Sequence, residues 1–148
     1  MTQPLATPAP LAALADHAWA YPALEVVHIV GIALLLGNLV LVELRVWGLG
    51  AAIALPALAR LALAVSLSGF GLAAASGLLM FATQPGELLA SRAFVLKMVL
   101  LVVAGTNAAV FHARGGLVRP DRFARAQTVL SLGLWLGVII CGRWIAYQ

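Results

Sequence analysis

Charge is what this chain has least of. Only 9% of its 148 residues are charged and 64% are hydrophobic, against about 25% and roughly 45–50% in soluble domains, so no single soluble core can absorb its apolar surface. A lipid bilayer must be its solvent. There is one cysteine, Cys141, which excludes an internal disulfide and any CxxC metal or redox pair and leaves the redox compartment unread. There is one lysine, Lys97, beside eight arginines in an Ala/Leu-rich chain, a usage that points to a GC-rich bacterial genome. The net charge of +4 is small, and most arginines lie in short segments between apolar runs. That pattern fits a membrane surface better than a nucleic-acid groove, and no nucleic-acid partner is expected. Ser/His/Asp arrangements, paired carboxylates and phosphate-cradling glycine loops are all missing, so hydrolase and kinase readings have no support. The start, MTQPLATPAPLAALADHAWA, lacks the basic n-region of a secretory signal and is expected to be retained.

What is present is apolar length. Runs of about 20 residues cross the hydrocarbon, and four fit, at 23–44, 60–82, 92–112 and 124–147. The expected fold is an all-α bundle of four transmembrane helices in one integral membrane domain. Residues 1–21 form either a frayed tail or a short interfacial helix ahead of Pro22. The Pro85–Gly86 pair stops the second helix. Arg45, Arg60, Arg114, Arg119, Arg122 and Arg125 fall on the face with the first and third loops, whereas Arg92, Lys97 and Arg143 fall on the face with the termini. The positive-inside rule puts the loops in the cytoplasm and both termini outside a bacterial inner membrane. Trp19, Tyr21, Trp144 and Tyr147 at the terminal face and Trp47 at the other read as interfacial belts. Small residues recur at Gly69, Ala73 and Gly77 and at Gly133, Gly137 and Cys141, stripes that let helix backbones pack closely in lipid.

Ionisable groups inside a span are expensive and mark functional paths. At about 1.5 Å of rise per residue, His28 and Lys97 each lie some 8 Å into their helices from the terminal face. Glu25, one turn before His28, and Arg143, near the end of the fourth span, can join them in one layer, the first candidate site. There Glu25 and Lys97 neutralise each other and His28 is left as ligand or proton carrier. The alternative is that Lys97 and Arg143 reach to the headgroups and His28 bonds a backbone carbonyl. A second layer near the loops, with Asn38, Glu43, Asn107, His112, Gln127 and Ser131, reads as mainly structural.

The two layers repeat. His28, Asn38 and Glu43 have the spacing of Lys97, Asn107 and His112, with Arg45 and Arg114 following; Arg60/Arg125, Ser66/Ser131, Ser76/Cys141 and Gly77/Gly142 also correspond. This points to a duplicated helical hairpin with a pseudo-two-fold along the membrane normal. It would set His28 opposite Lys97.

Haem b between helices usually takes two histidines at one depth. His28 and His112 are roughly 20 Å apart along the normal and cannot share an iron. A single-histidine haem on His28, with Lys97 or Arg143 near a propionate, remains allowed. Copper is the other option, since Met80, Met98 and Cys141 also lie towards the terminal face and soft sulfur with imidazole suits Cu(I).

The blocks YPALEVVHIVGIALLLGNLVLVELRVWGLG, GFGLAAASGLLMF, AFVLKMVLLVVAGTNAAVFH and SLGLWLGVIICGRWIAY together resemble a bacterial four-helix membrane family of unknown function with a GRWIAY ending. More distantly, the histidine-bearing first helix and lysine-bearing third helix are similar to HemJ-type protoporphyrinogen oxidase and to copper-resistance D membrane proteins. The HemJ resemblance implies that His28 is the haem ligand and Lys97 its partner residue. The expectation is a redox-type inner-membrane protein with haem b in the outer half of the bundle, His28 as metal ligand, and Glu25, Lys97 and Arg143 around the cofactor. Its catalytic residues are unassigned. A copper-handling membrane protein and a non-catalytic subunit of a membrane complex are the alternatives. Besides lipid, a redox partner or a second copy of the chain would be its partners.

Overall fold

A computed structural model of the chain describes residues 18–147. The expected tail or interfacial helix at 1–21 falls mostly outside these residues. Five helices follow in order: α1 Ala20–Val46, α2 Leu55–Thr83, α3 Pro85–Ala90, α4 Arg92–Ala113 and α5 Arg122–Ile145. All but α3 are long and apolar enough to cross a membrane. The protein is therefore an all-α, multi-pass membrane protein with a four-helix bundle. Its even number of crossings brings both ends of the described chain to one face, here called the terminal face; the loops after α1 and α4 mark the loop face.

The helix limits follow from local chemistry. Pro56 sits in the first turn of α2, where the missing N–H of proline costs nothing. This helix consequently starts ahead of the apolar run that announces it. Pro85 ends α2 as expected but opens α3, so a helix of 6 residues lies between the second and third spans. Ser91 accepts a hydrogen bond from the Phe94 N–H at the start of α4, and the Asp121 carboxylate accepts one from the Ala124 N–H, 2.7 Å away, at the start of α5. Each satisfies a backbone donor that the helix itself leaves free. Gly115 follows α4 with φ +70°, a conformation that side chains disfavour.

The bundle is built from two hairpins. α1 packs along α2 and α4 along α5, while α1 also touches α5 and joins the pairs. The α1/α2 seam is a weld of glycines, for a Cβ placed on Gly31 would stand 2.6 Å from the Ala73 nitrogen and 2.7 Å from the Gly69 carbonyl oxygen. The corresponding positions in the other hairpin are Leu100 and Leu134, too large for such an approach. Leu100 lies instead over Gly137, where a Cβ would come within 3.1 Å of its Cδ1. Of the small-residue stripes, Gly69 and Ala73 thus serve helix packing directly, whereas a Cβ on Gly133 would meet nothing within 4 Å.

The buried apolar cluster sits at the loop face, where Val42, Val46, Leu55, Ala62, Phe111 and Ala124 close on one another with Trp47, Leu58 and Leu117 against them. Trp47 is more than an interfacial belt residue. Its indole N–H donates to the Thr128 hydroxyl at 2.7 Å, tying the end of α1 to α5. Away from this end, Leu67, Leu78 and Val102 are largely exposed, an apolar surface that suits lipid as the solvent.

Burial repeats as the sequence does. Leu35 and Val42 on α1 are buried, as are Ala104 and Phe111 at the matching places on α4; Ala59, Ala62, Ala73 and Ser76 on α2 match Ala124, Gln127, Val138 and Cys141 on α5, all buried.

Candidate functional site

His28 and Lys97 occupy the terminal half, each lying on the seam of its own hairpin. The His28 ring covers Gly77, where a Cβ would come within 3.1 Å of its Cε1. Its Nδ1 is 2.8 Å from the Ala73 carbonyl oxygen and 3.1 Å from the Ser76 hydroxyl. A carbonyl only accepts, so Nδ1 carries the proton. Ser76 sends its own proton to the Leu72 carbonyl at 2.7 Å, which leaves its oxygen free to accept from the ring. This is the carbonyl bond of a satisfied intramembrane histidine, yet it engages Nδ1 alone. With Nδ1 protonated, neutral imidazole presents its lone pair at Nε2.

Lys97 repeats the arrangement on α4 and α5. Its Nζ is 3.7 Å from the point a Cβ would occupy on Gly142, and Cys141 is its electrostatic neighbour. So the positions that match in sequence also meet in space: His28 on Ser76 and Gly77, Lys97 on Cys141 and Gly142. Helical side chains lean towards the N-terminus, which for α4 is the terminal face. Lys97 therefore lies along the α4/α5 seam, with its Nζ beside Gly142.

The other two expected members of this layer turn away. Arg143 is exposed and donates to the Tyr147 hydroxyl at 2.6 Å, its guanidinium 4.9 Å from that ring's centre. This i, i+4 pair holds it at the end of α5. Glu25 is exposed on α1. Among the described residues the ion pair found is Arg114–Asp121, at 3.9 Å on the surface, so Glu25 and Lys97 do not form one. Of the sulfur groups weighed for copper, Met98 faces outward and Cys141 is buried. No group of three or more His, Cys, Asp or Glu placed to hold a metal ion occurs among the described residues.

The second polar layer holds more chemistry than its spacing announces. All four spanning helices line a cavity of about 40 Å³ at the loop half, and its polar wall is Glu43, Asn107, His112, Gln127, Thr128 and Ser131. Glu43 is only 3% exposed and neither carboxylate oxygen has a hydrogen-bond partner; the Gln127 Oε1 is likewise buried and unpartnered. Ser131 stands near the carboxylate without closing a hydrogen bond. Asn107 donates to the Gln127 backbone carbonyl at 2.9 Å, and Thr128 donates to the Arg125 carbonyl at 2.7 Å. Arg45, two residues beyond Glu43, aims its Nε at the Ile53 carbonyl, 2.7 Å away. The nearest arginine in sequence thus serves the loop and leaves the carboxylate alone.

No protein-family model, curated protein or solved structure matches the chain. Its chemistry has to be read from these two layers.

Proposed function

We propose that this is a redox-type membrane protein with a haem b cofactor, ligated by His28 in the terminal half of the bundle. The observation that carries the reading is the His28 Nδ1–H bond to the Ala73 carbonyl at 2.8 Å. Metal-ligating histidines almost always give their second ring N–H to a carbonyl or carboxylate, which fixes tautomer and ring orientation and raises ligand basicity. Ser76 adds a second acceptor at 3.1 Å. Gly77, lacking a Cβ, leaves room for the ring against α2. Haem b, when bound, supplies one-electron chemistry whose potential depends on axial ligand, hydrogen bonding and nearby charge. The residues of this chain set the last two: Ala73 and Ser76 hold the ring, and Lys97 places a positive charge in its neighbourhood. Glu25 and Arg143 are peripheral in this reading, at the headgroup level.

The same reading puts the termini outside a bacterial inner membrane. The support is the arginine count at the loop face, where Arg45, Arg60, Arg114, Arg119, Arg122 and Arg125 are found. The relation to the GRWIAY-ending family and, more distantly, to HemJ-type enzymes belongs to this proposal too.

The test is the absorption spectrum of detergent-purified protein, before and after loading with hemin. A Soret band is expected that His28→Ala abolishes and Ser76→Ala weakens, while Lys97→Met leaves it in place with a lowered midpoint potential. Protein that stays colourless and takes up no hemin refutes the proposal. Uptake unaffected by His28→Ala refutes the ligand, and stoichiometric copper in place of haem favours the copper-handling alternative.

A further inference from the structure

The cavity at the loop half makes an independent case. Three oxygen atoms there, both of Glu43 and Oε1 of Gln127, are buried, are acceptors when Glu43 is ionised, and have no donor. Most of the groups that could answer them are committed elsewhere, and the Ser131 hydroxyl is the one donor left beside the carboxylate. Asn107 gives its N–H to a backbone carbonyl, the Thr128 proton goes to Arg125, and Arg45 is engaged with the loop. An unpaired buried carboxylate is among the most costly groups a fold can hold. Three buried acceptors facing one space with a single hydroxyl beside them suit a species that brings positive charge.

We infer that this cavity binds a small hard monovalent cation, with Glu43 as its charged ligand and Gln127 Oε1 and Ser131 Oγ as neutral ones. Oxygen donors of this kind select hard cations over the soft metals that thiolate and imidazole prefer. A space of about 40 Å³ holds such an ion with a water, since one water needs about 10–15 Å³ on the same measure. Without the cation, Glu43 carries a proton. Binding is then an exchange in which the carboxyl O–H bond breaks, the cation takes its place on the carboxylate, and one proton leaves to solvent. Charge is conserved and no oxidant or reductant is required.

The site's position supports ion exchange with the loop side. Glu43 lies three residues before the end of α1 at Val46, so the ion has only about 5 Å of helix length to travel. Of the groups lining the cavity, only Glu43 and His112 titrate; α2 contributes Leu63 and α5 contributes Gln127, Thr128 and Ser131. His112 packs edge-on against Phe111 and is largely exposed. Trp47 reports on occupancy, because its indole is bonded to Thr128 in the cavity wall.

The experiment uses the full chain in nanodiscs in weakly buffered choline chloride, with NaCl as the probe. Calorimetry should show saturable Na⁺ binding, a pH indicator should show up to one proton released per chain, and tryptophan fluorescence should change along the same isotherm. Glu43→Gln should lose all three. Gln127→Leu should weaken binding about tenfold while keeping the proton release, and Ser131→Ala should weaken it by a smaller factor. Should Glu43→Gln fail to fold, the latter two variants decide. The inference is overturned if Na⁺, Li⁺ and K⁺ give no response beyond that of choline. It is equally overturned if Glu43 titrates without dependence on cation, or if Gln127→Leu and Ser131→Ala bind within twofold of the parent. His28→Ala, which tests the haem reading, should leave Na⁺ binding unchanged, so the two proposals fail separately.

Discussion

Substituting Gly31 by alanine adds one methyl group to the tightest contact in the α1/α2 seam, and its effect can be worked from the distances. The new Cβ would lie 2.6 Å from the Ala73 nitrogen and 2.7 Å from the Gly69 carbonyl oxygen, where ordinary contact begins at 3.4 Å. The obstructing atoms are backbone, so α1 and α2 must separate by about 0.8 Å, a gap that forfeits a quarter to a half of each dispersion contact along the seam. Overpacking of this type costs about 1–3 kcal/mol. Replacing glycine by alanine within a helix returns up to about 1 kcal/mol. The net is a destabilisation of up to about 2 kcal/mol once the full helix gain is returned. Gly37 on the same helix and Gly71 on α2 meet nothing within 4 Å, so alanine there should be neutral or stabilising by up to about 1 kcal/mol. The three variants are to be compared by equilibrium unfolding in mixed micelles, followed by tryptophan fluorescence. His28 is one turn from Gly31, and the separated seam should also draw its ring off the Ala73 carbonyl and reduce cofactor retention. A Gly31→Ala protein as stable as Gly37→Ala would refute the close approach of the two helices.

Other expectations follow from single contacts. Asp121→Ala removes the cap of α5 and should cost about 1 kcal/mol, with little added from the exposed Arg114 pair; the same unfolding assay measures it, and an Asp121→Asn variant should recover most of the loss. Glu25→Gln and Arg143→Ala should each change haem retention by less than twofold, since both side chains are exposed away from the seam that holds His28; a large loss on either would return them to the site. Trp47→Phe should lower stability by about 1 kcal/mol, the worth of one hydrogen bond, with no loss in the Thr128→Val background, where the acceptor is already gone.

Depth along the membrane normal is legible in the chain, because a helix advances by a fixed rise per residue. On that count His28 and Lys97 fall at one level, and in the structure each lies on the seam of its own hairpin. The four spans follow in the same way from apolar length, proline and arginine. Direction around the helix axis is harder to read. Arg143 and Glu25 share the level of His28 yet face outward, Arg143 because Tyr147 lies one turn on and offers both a hydroxyl and a ring. Glu43 falls in the second layer by its position, but Arg45 two residues away hides its isolation. Only the loop path, which brings the Ile53 carbonyl to that guanidinium, shows that the carboxylate is left without a partner. The available signal is the residue type itself: an acidic side chain at the inner end of an apolar helix, in register with a histidine rather than an arginine in the matching hairpin. Trp47 is ambiguous in sequence for the same reason, since belt and clamp differ only in which way the ring turns.

The two seams, with His28 laid over Ser76 and Gly77 and Lys97 over Cys141 and Gly142, have a consequence for how chemical difference arises between matching positions. A segment that crosses the membrane twice can be joined to its own copy in one chain without inverting the second copy. Two separate hairpins of identical sequence would be bound to present the same group at both places, two imidazoles or two ammoniums facing each other in lipid. Once joined, each place is free to hold its own residue. Each seam then carries its own chemistry, an imidazole over Ser76 and Gly77 and an ammonium over Cys141 and Gly142.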